Sequence, residues 1–404
     1  MRARLSLFAL LLASCAHPAP PVPQAPADPD TKFRAFLAQC RQQYADVDAR
    51  IASAGVHDDE FFAVPGFPYI RTDRLMSSYR NEVSGDLNTL GTWMLQLREN
   101  DSIARDIELT NLGMPKFERA DLLNTLRTCA VWLSFDELAD PATLAKLVDA
   151  AKIADAPAPA IAQSNVQAAP PSHAKSVLWQ ASPAPTDVHL PRGFADAARD
   201  ELGRVGLLMD QWPALAAQHA PKLLIATAGE GDRIGAPILT AQGPSVDASR
   251  PVVYYLPSYA RVGQRTLVQL NYFVWFSARP GALDGLIWRV TLAEDGKPLG
   301  YDYVRADGHD YARVVAQHEV AAALRSGSHT VERVIEAGHG SAKRYELRPY
   351  EDLMTLDTPG GGTRSLFGPD GIGRDGVTRQ WGHHAISATR YFDDPRLLEQ
   401  DATR

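Results

Sequence analysis

The chain has 404 residues, 45% of them hydrophobic and 22% charged, with a formal net charge of −7. That composition is ordinary for a globular protein, and the length allows two or three domains with a sizeable core. A mildly acidic body excludes broad electrostatic binding to nucleic acid or to anionic lipid.

The first 14 residues read as a signal peptide. Arg2 and Arg4 form a cationic start, and Leu5 to Leu12 form an apolar run too short to span a bilayer. The run ends in Leu12-Ala13-Ser14-Cys15, which resembles a bacterial lipobox at all four positions. The resemblance implies a diacylglyceryl thioether on Cys15, cleavage before it, and a membrane partner reached through that lipid anchor. Two or more acyl chains, at about 0.8 kcal/mol per buried methylene, hold a protein stably. Ala16 stands where an Asp would imply inner-membrane retention. The expected location is therefore the bacterial outer membrane, facing the periplasm rather than the cell surface. Loss of residues 1–14 removes Arg2 and Arg4, leaving 39 basic against 48 acidic residues, a charge of −9.

Residues 15–30 read as a tether. Six prolines between 16 and 30 favour extended chain at about 3.1 Å per residue, a clearance of roughly 40–50 Å. Residues 31–154 read as a helical domain. Phe33, Phe36, Leu37, Cys40, Tyr44, Val47 and Ile51 recur at helical spacing, with Asp30 as a cap and Gly55 as the stop. A turn is expected at Pro65-Gly66-Phe67-Pro68. A second helical pattern over 75–110 places Leu87, Leu90, Met94 and Leu97 on one face. A third aligns Leu122, Leu126, Cys129 and Leu133, and Pro141 opens a fourth. Cys40 and Cys129 both lie on apolar helix faces. In an oxidising compartment the pair favours a disulfide over two buried thiols, worth about 4–5 kcal/mol on chain entropy.

Residues 155–176 form an Ala/Pro-rich linker, and 177–404 a β-rich domain with short helices. An amphipathic helix is expected over Phe194 to Met209. Val252 to Leu256 and Arg265 to Phe276 read as strands. The second carries Val268, Leu270, Tyr272, Val274 and Phe276 on one face, and a mixed set behind that implies partial cover. Leu286 to Leu292 and Leu299 to Val304 flank Asp295-Gly296, a hairpin signal. Arg344 to Leu347 and Asp352 to Leu356 are further strand candidates, and 357–380 is expected to be a Gly-rich loop. The predicted class is α+β: an N-terminal helical bundle followed by a mainly antiparallel β-rich domain.

The stretches PGFPYIRTDRL, LNTLRTCAVWLSFDELADP, GDRIGAP, LVQLNYFVWFSARP, LDGLIWRVTLAEDGKPLGYDY, RSLFGPDG, RQWGHHA and FDDPRLLE resemble a family of uncharacterised proteobacterial envelope lipoproteins. The likeness runs from about Pro65 onward and implies no particular activity. In that family the hairpin ending in Tyr-Asp is often followed by a segment with Cys and His. Here Val304 to Tyr311 contains no Cys, so no thiol site is inherited, and Asp307, His309 and Asp310 remain as candidate ligands for a divalent metal.

Six of 11 histidines follow residue 300, and they are read as solvated or locally hydrogen-bonded rather than as a metal site. His318-Glu319 lacks the second His of the zincin motif, and no G-x-S-x-G or Walker pattern occurs. Asp232-Arg233 is a candidate ion pair at a turn. Trp275, Trp288 and Trp381 have the surface for a carbohydrate or peptide groove, with Trp288 assigned to the core. Two functions follow. The favoured one is a lipid-anchored, non-catalytic binding or scaffolding protein. The alternative is a metal-assisted hydrolase with its site near Asp307–Tyr311, His309 ligating with a carboxylate beside it and His383 or His384 from a distant loop.

Overall fold

The computed structural model describes residues 29–378, except 59–60, 84, 154–174, 184–196, 208–210, 228, 278–280, 315–319, 337–341 and 369–371. Cys15, the tether up to residue 28, most of the Ala/Pro-rich linker, His383, His384 and Trp381 lie outside the described residues.

The chain is α+β. Its N-terminal part contains helix α1 (Pro29–Ala54), a hairpin of β1 (Phe62–Val64) and β2 (Phe67–Thr72), then α2 (Arg74–Tyr79), α3 (Leu87–Asn111), α4 (Lys116–Leu138) and α5 (Pro141–Ala150). The apolar spacing along α1 buries Leu37, Cys40, Tyr44, Val47 and Ile51. They meet Trp93, Met94 and Leu97 of α3 and Leu126, Cys129 and Leu133 of α4 in one core. Gly55 ends α1 with φ +65°, a conformation glycine adopts freely. The Cys40 and Cys129 sulfurs lie 2.06 Å apart, at disulfide distance, with Cα atoms 5.3 Å apart.

Two local expectations change. The single helical pattern over 75–110 divides into α2 and α3, because the Asp86 carboxylate accepts the Thr89 N–H at 2.8 Å and starts a new helix. Leu87, at the first turn, is consequently 71% exposed. The turn at Pro65-Gly66 links two strands, and Phe67-Pro68 belongs to β2. That hairpin is held to α3 by a buried ionic network. Arg71 grips Glu108 with two bonds of 2.9 and 2.8 Å, Arg105 holds Asp101 at 2.9 Å, and Arg105 also donates to the Pro68 carbonyl.

The β-rich part adds β3 (Ser176–Ala181), α6 (Gln211–Gln218), β4 (Lys222–Ala226), β5 (Ala236–Thr240), β6 (Gly243–Asp247), β7 (Val252–Val262), β8 (Arg265–Phe276), β9 (Asp284–Leu292), β10 (Pro298–Arg305), β11 (Ala312–Val314), β12 (Val320–Leu324), β13 (Val331–Glu336) and β14 (Lys343–Pro349). Ten of these strands form one sheet, ordered β11-β10-β9-β8-β7-β14-β3-β4-β12-β13. Most pairs are antiparallel. The exceptions are β14 with β7, β14 with β3, and β12 with β4. The β9–β10 hairpin turns at Asp295-Gly296, with Gly296 at φ +79°.

One face of the sheet curls around a core. Trp288 and Tyr303 from one half share it with Leu223, Leu324 and Val331 from the other. The Tyr303 hydroxyl donates to the Val331 carbonyl at 3.3 Å, joining strands that lie near opposite ends of the sheet order. The second face of β7–β10 packs Phe273, Trp275, Ile287 and Val304 against Tyr350, Leu353, Leu366 and Phe367. Gly285 lies opposite Trp275, and a Cβ there would come within 2.8 Å of the indole, so close packing of that ring requires glycine.

Two further expectations are overturned. Residues 197–207 are not helical. Arg199 bridges Val205, the Asp200 carboxylate accepts the Leu202 and Arg204 N–H groups, and Gly203 turns the chain at φ +71°. An Asp that satisfies the following amides offers the backbone a turn in place of a helix. Residues Tyr350–Met354 form a 3-10 turn where a strand was expected to begin at Asp352. The helical part docks on the sheet near this 197–207 segment. The Tyr79 hydroxyl meets the Leu202 carbonyl at 2.8 Å and Thr266 Oγ1 at 2.5 Å, and Arg261 lies over the Tyr79 ring at 4.4 Å.

Candidate functional site

Strand period puts Gln269, Asn271, Phe273 and Trp275 on the second face of β8. The first two do not join the apolar layer. Asn271 lies opposite Arg289 of β9, which lies opposite Asp302 of β10, and Gln269 lies opposite Thr291. The result is a polar row across three central strands, in which Gln269, Asn271 and Arg289 are all 0% exposed. Arg289 Nε donates to Asp302 Oδ1 at 2.9 Å, and its Nη1 to Gln269 Oε1 at 3.3 Å. Gln269 Nε2 donates to Thr291 Oγ1 at 3.1 Å. Asn271 Nδ2 donates to the Leu256 carbonyl and to Ser258 Oγ. The Tyr311 hydroxyl reaches Asp302 at 3.5 Å, and burial, then the Asp302 charge, raises its pKa.

A second cluster sits where the curled sheet closes. His329, in the turn between β12 and β13, is buried and has φ 48°. Its Nδ1 lies 2.6 Å from Asp284 Oδ2 at the start of β9, and its Nε2 lies 3.2 Å from Asp232 Oδ1. The ring stacks on Phe276 at 3.9 Å. Asp232 also accepts the Gly229 and Gly327 N–H groups and the Ser326 hydroxyl. Asp284 accepts from Arg305 at 3.0 Å, and Arg305 donates to the Ser328 carbonyl. Both imidazole nitrogens thus face carboxylates that also accept from other donors. The cluster latches the β12–β13 turn to β9 and β10.

Asp232 and Arg233 of the expected pair each have another partner. Asp232 turns inward to His329, while Arg233 reaches Glu230 at 3.4 Å on the surface. Trp275 and Trp288 are both 1% exposed and belong to the two cores, which corrects the groove reading for Trp275.

The Asp307–Tyr311 segment connects β10 to β11. Asp307 Oδ1 accepts the His309 N–H at 3.0 Å, Gly308 turns at φ +85°, and the His309 carbonyl accepts from Arg305 N. His309 and Asp310 are exposed. Asp307 lies 3.6 Å from Arg305, so it touches the edge of the His329 latch, and Tyr311 reaches the Asp302 row. Asp307, His309 and Asp310 do not converge, and no group of three or more His, Cys, Asp or Glu side chains suited to a metal occurs among the described residues. His383 lies outside them. The polar row was partly visible in sequence, as the mixed face of β8. The latch was not, because Asp232, Asp284, Arg305 and His329 share no spacing.

Burial also sets an alkaline limit. The hydroxyls of Tyr254 and Tyr303 are pushed up to about 12, chiefly by desolvation. Unfolded tyrosine ionises near 10, so the unfolded chain releases protons first as pH rises. Their contribution is complete below about pH 10 and is lost between about 10 and about 12, at about 1.4 kcal/mol per pH unit for each ring. Urea midpoints measured stepwise across that range are expected to fall, and a flat profile would contradict the burial of these hydroxyls.

No family model, curated protein or solved structure matches the chain.

Proposed function

We propose that this chain is a lipid-anchored envelope protein, held at the outer membrane through Cys15, whose β-rich body binds or scaffolds a partner rather than catalysing a reaction. The lipobox pattern at Leu12 to Cys15 supports the anchor, and α1 begins at Pro29, 14 residues after Cys15. The observation that carries the binding reading is His329. It is a buried histidine, and its two ring nitrogens face Asp284 and Asp232. That arrangement ties the β12–β13 turn to β9 and so favours a stiff binding body.

Cys15→Ser is expected to abolish lipid labelling and to move the protein from the membrane to the soluble fraction, with the body still folded. A variant that stays with outer membranes after a high-salt wash would show that something other than the lipid holds it.

A further inference from the structure

The end of the helical bundle where α1 begins carries an aromatic surface. Phe33 of α1 packs edge-on against Trp132 of α4 at 5.8 Å, and Trp132 contacts Phe135 at 6.3 Å. Phe135 is 50% exposed and Val131 beside it 37%, while Phe33 and Trp132 are partly exposed. The exposed Lys32 and Arg34 flank the rings. On α4, Asp136 and Glu137 share Arg41 at 3.4 and 3.1 Å. Partly exposed aromatic rings with cations beside them suit the interfacial layer of a bilayer.

The connectivity selects the occupant. The rings lie within a few residues of Pro29, the point at which the chain from Cys15 reaches the body. Fourteen residues at about 3.1–3.6 Å each reach at most roughly 43–50 Å. A lipid on Cys15 therefore holds the start of α1 within that distance of the membrane, at raised effective concentration.

We propose that Phe33, Val131, Trp132 and Phe135 form a second, weak contact with the bilayer, so that the anchored protein sits on the membrane by this end of its helical bundle. The inference rests on the lipid-anchor reading above. Its consequence is a fixed orientation of the body on the membrane.

The test uses full-length lipidated protein in vesicles of phosphatidylethanolamine and phosphatidylglycerol. Phe135→Cys is labelled with a polarity-sensitive fluorophore. Phe117→Cys serves as a matched control, because Phe117 is 86% exposed on the same helix, about 27 Å away at 1.5 Å per residue. Arg34→Cys gives a second view that leaves every ring in place. On vesicle binding, labels at 135 and 34 are expected to become about threefold or more less accessible to an aqueous quencher, with the label at 117 unchanged. Equal accessibility at all three positions in protein that floats with vesicles would overturn the docking while leaving the anchor intact. Protein that fails to float would remove the anchor reading and this inference with it. Shielding at 135 that depends on protein concentration and not on lipid would assign the surface to a second copy of the chain, and would also overturn the proposal.

Discussion

Asp302→Ala is expected to destabilise the β-rich body by about 3–5 kcal/mol, the usual result of removing one partner from a buried ion pair. The effect comes from what is left behind. Arg289 is 0% exposed and projects from a central strand, so its guanidinium cannot move to water when the carboxylate is lost. The double variant Arg289→Met/Asp302→Leu removes both charges and fills similar volume. It is expected to recover most of the loss or exceed wild-type stability, because desolvation of the pair offsets much of its attraction. Urea unfolding with an unchanged slope is the measurement. A single variant costing less than about 1 kcal/mol would mean that water reaches the row. If the double variant folds well but no longer performs its binding role, the row serves recognition as well as stability.

The second large effect concerns the helical part. Cys40 and Cys129 are separated by 89 positions, and their Cα atoms lie 5.3 Å apart. Closing so long a loop restricts the unfolded chain by about 4–5 kcal/mol in the chain-entropy model. The Cys40→Ala/Cys129→Ala variant is therefore expected to unfold at markedly lower urea concentration, and wild type with reductant to behave similarly. Both residues are nearly fully buried between α1 and α4, so reductant should act only after partial unfolding. Alkylation of denatured envelope-isolated protein without reductant should label neither cysteine. Two labelled thiols would show that the sulfurs sit together without a bond.

These expectations trace back unequally to the sequence. The hairpin β9–β10 was legible because Asp295-Gly296 lies between two alternating runs, and a strand's period of two allows little else. Strand β8 was legible over its full length for the same reason. The contact between Cys40 and Cys129 was legible because only one pairing exists. The segment 197–207 was misread as helix because its apolar spacing outweighed Asp200 and Gly203, whose local bonds decide the backbone. The short strands β4, β12 and β13 carried no periodic signal. Val320 to Leu324 is an unbroken apolar run, as expected for a strand buried on both faces, and such a run cannot be told from a helix by period alone.

The sequence by itself thus determined the fold class, the helical bundle ahead of the sheet, the central antiparallel strands and the cysteine partners. Each depends on residues close together in the chain or on a choice with one answer. Only the tertiary structure decided which charges matter. Curling of the ten-stranded sheet brings Asp232, Asp284, Arg305 and His329 together from four separate segments, and strand register places Asn271, Arg289 and Asp302 in one row. His309, exposed in a tight turn, and His329, buried between two carboxylates, look alike in sequence. Their difference is one of burial and long-range pairing, which no local pattern encodes.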